Sequence, residues 1–235
     1  YNNNIKMKKI IKIILLLTLT FSVFIEEVFA REKIRIGLLV PLTGKNSEIG
    51  QSIIKSTRLA INKINNSSIE IIPRDTESTP AATLKAAKEL GELGIKIIYF
   101  STSYVYPGKK GKYKESDPVL PCNNYAWSKL GGEAAVQMYK NSLILRVCMT
   151  EKPFVHKSAY ANMITNFIFH EELIPIFKKI IKYKGVINIG GPSQSVYNFA
   201  KKYNPNVKKI FVKKNNNLMP INSSMNLSKL KKIIK

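Results

Sequence analysis

The chain has 235 residues, room for one ordinary domain or two small ones. Its composition, 45% hydrophobic and 23% charged, is that of a globular protein and excludes disordered, collagen-like and disulfide-scaffold classes. The formal net charge of +23 is uneven, +5 over residues 1–93 and +18 over residues 94–235. Such a charge suits nucleic acid, anionic lipid or a phosphorylated small molecule. Only five of the 38 basic residues are Arg, however, and the lysines are scattered among Ile and Asn. The arginine-rich footprint of a nucleic-acid surface is missing, so no nucleic-acid partner is expected. Two cysteines (Cys122, Cys148) and two histidines (His156, His170) are too few for a zinc or iron–sulfur site, and no metal is expected.

In chain order, the basic run Met7-Lys8-Lys9-Ile10-Ile11-Lys12 precedes an apolar stretch from Ile13 to Ile25. Val28-Phe29-Ala30 then offers small residues where a signal peptidase reads. This predicts a secretory leader over residues 1–30, cleaved after Ala30, which directs export to the periplasm. The stretch is shorter than the roughly 20 residues a bilayer requires, so no stable membrane span is expected. Tyr1 to Lys6 precede a plausible start methionine.

Lys33–Val40 is a short apolar run ending at Pro41, and predicts a buried strand. Ser47 is placed to cap a helix with Ile49, Ile53, Ile54, Leu59, Ile61 and Ile64 on its apolar side. Ser68–Ile72 predicts a second strand. Thr79-Pro80 opens a second helix that Gly94 stops, and Ile95–Phe100 predicts a third strand. This β-α-β-α-β order predicts a parallel sheet with right-handed crossovers.

The phrase Ile36-Gly37-Leu38-Leu39-Val40-Pro41-Leu42-Thr43-Gly44, with Ile71-Ile72-Pro73-Arg74-Asp75-Thr76 after it, resembles the opening of type I periplasmic binding proteins for branched-chain amino acids. That resemblance implies part of one lobe of a solute-binding protein over residues 31–98, with an amino acid as ligand.

Beyond residue 98 the signal changes. Three Tyr-x-x-x-Lys pairs occur, at Tyr106/Lys110, Tyr125/Lys129 and Tyr197/Lys201. Pro107-Gly108 breaks the first, and no hydroxyl-rich strand end precedes the third. Tyr125 opens a helix after Asn123 or Asn124, either a good cap, so Tyr125 and Lys129 share one face about 5–6 Å apart at Cβ. An ammonium there favours phenolate, which suits a proton donor to a carbonyl. A hydroxyl at the preceding strand end, Thr102 or Ser101, would hold the carbonyl oxygen.

The stretch from Ser101 to Glu133 (STSYVYPGKKGKYKESDPVLPCNNYAWSKLGGE) resembles the extended short-chain dehydrogenase/reductases, within them the dTDP-4-dehydrorhamnose reductase group. Leu145-Arg146-Val147, Gly185–Gly191 and Met219–Leu230 resemble later parts of that family, extending the likeness over residues 99–235. The resemblance implies an NAD(P)H-dependent reductase of nucleotide-linked 4-keto sugars, a cytoplasmic family. It implies NADPH or NADH as cofactor and Thr102, Tyr125 and Lys129 as the catalytic residues. It implies that Tyr125 and Lys129 also touch the cofactor, and Ser101, Ser103, Arg146 and Asn222 the sugar nucleotide.

The fold class expected is α/β, a Rossmann-like parallel sheet with helices on both faces, built from two partial α/β units. The two resemblances meet near Gly94–Ile98, which reads as an apparent chimera. A reductase of this kind seats the cofactor pyrophosphate on a glycine-rich turn after its first strand. Here that turn is Pro41-Leu42-Thr43-Gly44-Lys45, without the glycine spacing. The chain as written is therefore expected not to turn over a sugar nucleotide. The alternative expectation is a truncated periplasmic solute-binding protein of an amino-acid transporter. Cys148 reads as a small core residue, and a Cys122–Cys148 disulfide would suit an exported chain. His156 and His170 read as surface or core residues, and the aromatics from Phe154 to Phe169 as packing.

Overall fold

The computed structural model describes residues 34–65, 68–213 and 216–235, so the expected leader lies outside the described residues. The predicted β-α-β-α-β order is present: β1 (Ile34–Val40), α1 (Ser47–Ile64), β2 (Ile69–Asp75), α2 (Pro80–Glu92) and β3 (Ile97–Thr102). Thr79 caps α2 by accepting from the Ala82 amide at 3.2 Å, with Pro80 in the first turn, where its missing N–H costs nothing. The N-cap position of α1 is held by Asn46, whose side chain makes no capping bond, and Ser47 is already the first helical residue.

The chain continues with a 3₁₀ turn (Ser103–Val105), α3 (Asn124–Gln137), β4 (Ser142–Val147) and β5 (Met149–Thr150). Then come β6 (Ser158–Tyr160), β7 (Ile164–Thr165), β8 (Ile168–Phe169), α4 (His170–Ile180), β9 (Gly185–Ile189), β10 (Gln194–Ser195), α5 (Val196–Lys201), β11 (Lys208–Ile210) and α6 (Ser228–Ile234). Asn123 caps α3, its side chain accepting from the Ala126 amide at 2.9 Å. Among the described residues no helix is long and apolar enough to cross a membrane, and no group of three or more His, Cys, Asp or Glu stands ready for a metal.

The long strands are all parallel, as expected, but they divide between two sheets. One joins β1 to β2 from Ile34↔Ile69 to Val40↔Asp75. The other has the order β3-β4-β9, with Thr102 opposite Val147 and Val147 opposite Ile189. Helices cover both faces of the second sheet. Leu143, Leu145, Val147, Ile187 and Ile189 pack against Leu173 and Ile180 of α4 and Leu230 of α6. Ile97 and Ile144 pack on the opposite face against Val136 of α3. A separate cluster around Phe154, Met163, Phe169 and Phe199 supports the short strand pairs, so these aromatics pack as expected.

Helix α2 ties the two sheets together. Leu90 is 2% exposed, and a Cβ on Gly37 of β1 would come within 2.7 Å of it. Arg74 of β2 meets Glu89 of α2 at 3.4 Å, and Asn141, just before β4, donates to the Gly94 carbonyl at 3.3 Å. The N-terminal sheet is the less enclosed. Ile34 and Ile36 of β1 are exposed, as are Ile49, Ile53, Leu59 and Ile64 of α1, leaving Ile54 the expected apolar-face residue that is fully buried.

Candidate functional site

A cavity of about 370 Å³ opens at the C-terminal ends of β3 and β4. Thr102, Tyr125 and Lys129 all line it, together with Phe100, Tyr104, Cys148 and His170. Open α/β folds bind ligands at this edge, because strand ends and the turns after them leave a crevice between helices.

Strand parity separates the two hydroxyls that the sequence left as alternatives. Ile97 and Tyr99 face α3, so Ser101 does too. Ser101 also lines the cavity, but its hydroxyl is committed to Glu133, donating to Oε1 at 2.5 Å. Thr102 falls on the other face, at the cavity wall, where its Oγ1 accepts from the Tyr104 amide at 3.3 Å. Tyr125 is 54% exposed and stands edge-on to Tyr104, ring centroids 6.3 Å apart. Lys129 is half-buried, and burial pulls its ammonium below the usual lysine range. Its Nζ donates to the Phe100 carbonyl at 2.9 Å and lies 5.2 Å from the centre of the Tyr99 ring.

The remaining implied contacts lie away from the cavity. Arg146 is 4% exposed and clamps the fully buried Glu133 through Nε at 2.9 Å and Nη2 at 2.7 Å. Its Nη1 donates to the Tyr106 hydroxyl at 2.9 Å. Ser103 is fully buried beside Ser223, and Asn222 accepts from the Ser224 hydroxyl at 2.7 Å in a turn. Arg146 and Ser103 are therefore buried away from the cavity, and Asn222 belongs to a loop rather than to the cavity wall. Tyr104, which the sequence did not single out, lines the wall, as do Cys148 and His170, which it read as core or surface residues. Cys148 is buried, which pushes its thiol up to about 11, and both cysteines are free thiols rather than a disulfide.

The implied dinucleotide is met at one end only. Tyr125 and Lys129, the residues implied to touch it, both line the cavity. A pyrophosphate needs free backbone N–H groups in a turn with room for close approach. The β1–α1 turn has no N–H at Pro41, and the amides of Leu42 and Thr43 already donate to the Asp75 carboxylate, at 2.8 and 3.2 Å. The residues present do not fit the pyrophosphate.

Residues 74–168 match the family model for the RmlD substrate binding domain, and residues 33–104 match that for a periplasmic binding protein. A dTDP-4-dehydrorhamnose reductase of Aggregatibacter actinomycetemcomitans is 32% identical over 113 residues, 45% of this chain and 38% of that protein's length. The chain thus matches well under half the length of that relative. The structure of dTDP-4-dehydrorhamnose reductase from Bacillus anthracis, in complex with NADP, superposes with a TM-score of 0.62 at 18% identity, covering 85% of this chain and 92% of that one. UDP-glucuronic acid 4-epimerase from Bacillus cereus, in complex with UDP-glucuronic acid and NAD, gives 0.58 at 17% identity, covering 86% and 93%. Over most of its length this chain shares the α/β fold of these two structures.

Proposed function

We propose that the chain binds a nucleotide-linked 4-keto sugar of the dTDP type at the Thr102–Tyr125–Lys129 cavity, as a reductase-type half that does not carry out hydride transfer on its own. The observation that carries this reading is that Thr102, Tyr125 and Lys129 all line one cavity at the C-terminal ends of β3 and β4. Thr102 offers a hydroxyl to a sugar carbonyl oxygen, and Tyr125 a phenol able to share a proton with it. Lys129 adds a partly desolvated positive charge that favours an anionic ligand. The similar proteins, a dTDP-4-dehydrorhamnose reductase and a UDP-glucuronic acid 4-epimerase, support the same ligand class.

Calorimetric titration of the full chain with a dTDP-4-keto sugar tests this. Binding is expected, weakened by about threefold to tenfold in Tyr125→Phe, the loss of one hydrogen bond. Affinity unchanged in Tyr125→Phe, Lys129→Met and Thr102→Val would overturn it. The match of residues 33–104 to a periplasmic binding protein favours a second reading, amino-acid binding, which titration with branched-chain amino acids checks.

A further inference from the structure

The turn after β1 is closed around an anion of the chain's own. Asp75 ends β2 directly opposite Val40, the last residue of β1, so its side chain reaches across the C-terminal edge of this sheet. Its Oδ1 accepts from the amides of Leu42 and Thr43 and from that of Glu77 at 2.8 Å, and its Oδ2 accepts from the Thr43 hydroxyl at 2.7 Å. Three backbone N–H groups and one hydroxyl converging on two oxygens is the donor set that anion-binding turns present to a phosphate.

A second staple locks the same turn. The Ser78 hydroxyl donates to the Thr43 carbonyl and accepts from the Asn46 amide, both at 3.1 Å. Gly44 sits at φ +79°, and a Cβ there would lie 2.5 Å from the Glu77 carbonyl oxygen. Glu77 and Ser78 themselves adopt left-handed φ of 48° and 57°, a conformation disfavoured for such residues unless their surroundings hold it. The two turns are thus interlocked, with Glu48 adding negative charge in the first turn of α1.

We propose that Asp75 takes the place of a dinucleotide pyrophosphate at the first βα turn of this fold, so that the chain excludes NADH and NADPH there both by occupancy and by charge. This goes beyond the absence of a glycine pattern, because it names the group that fills the seat. It is also independent of sugar binding at the Thr102 cavity, which involves neither turn.

The test is an NMR titration of the full chain with NADPH and with inorganic pyrophosphate, following the Leu42 and Thr43 amides, alongside NADPH fluorescence. In the native chain neither amide should move, up to about 1 mM ligand, a dissociation constant that corresponds to very weak binding. Asp75→Ala frees the donors, and pyrophosphate affinity should rise at least about tenfold with both amides shifting. Asp75→Asn keeps one acceptor oxygen for the amides while removing the charge and the second acceptor, and should give a smaller rise of about threefold. Micromolar NADPH binding by the native chain overturns the proposal, as does a folded Asp75→Ala chain with no gain. If Asp75→Ala fails to fold, Asp75→Asn decides, and affinity equal to the native chain overturns the proposal. Titration of the same samples with a dTDP-4-keto sugar reads the cavity separately. Its failure would remove the sugar-binding reading and leave Asp75 as it stands.

Discussion

A carboxylate that accepts three amides and a hydroxyl is held in its charged form, and Asp75 is pulled down to about 2, first by the Thr43 hydroxyl and next by the Glu77 amide. The sign of the consequence follows from linkage. The folded value lies below the unfolded one, so the contact stabilises the chain above about pH 4 and fades as pH falls from there toward 2. The melting-temperature gap between the native chain and Asp75→Ala should be full at pH 7 and close across that acid range. A gap that stays constant down to pH 2, measured by circular dichroism melts, would contradict this. Residue choice at the other turn was only half legible in the sequence. Thr102 and Ser101 were equivalent as hydroxyls at a strand end. Only the packing of Ile97 and Tyr99 against α3 sets which hydroxyl faces that helix, since alternate residues of β3 share a face. Ile95, expected to open this strand, is held at the helix end instead, its amide donating to the Leu90 carbonyl at 3.2 Å.

At the scale of elements, α3 shows how the site is aimed. Tyr125, Lys129 and Glu133 recur at intervals of four, so one helix face carries the two cavity residues and then the buried acid. Glu133 is gripped by Arg146 of β4 and by Ser101 of β3, which fixes the rotation of α3 over both strands. Removing one partner leaves an uncompensated buried charge, so Glu133→Ala should cost about 3–5 kcal/mol in urea unfolding. Replacing both, as Glu133→Leu with Arg146→Met, should cost less than the single change, because no charge is stranded. A double variant no more stable than Glu133→Ala would show that the pair acts through more than charge. The helix itself was readable from its Asn123 cap and its spacing. The role of Arg146 was not. A strand arginine reads equally as a ligand contact or a core ion pair until its partner, 13 positions away, is placed.

At the scale of the molecule, the strands expected from the sequence are present and parallel, while their division between two sheets was not legible. Period and turn residues specify that a segment is a strand, and say little about which edge it joins. The exposure of the two units differs sharply: every residue of β4 is buried, whereas the first three of β1 are exposed. Local opening is easiest where few apolar contacts are lost. The unit of β1, α1 and β2 holds to the rest largely through α2, and above all through Leu90 packed over Gly37. Hydrogen exchange should therefore show two levels of protection. The amides of Leu143, Leu145 and Ile187 should exchange only on global unfolding, and those of β1 and β2 at a lower free energy. Leu90→Ala, which empties a buried site at a cost of about 2–5 kcal/mol, should lower the second level more than the first. Equal protection across both sheets, or equal loss in Leu90→Ala, would mean that the two units open as one despite their separate hydrogen-bond ladders.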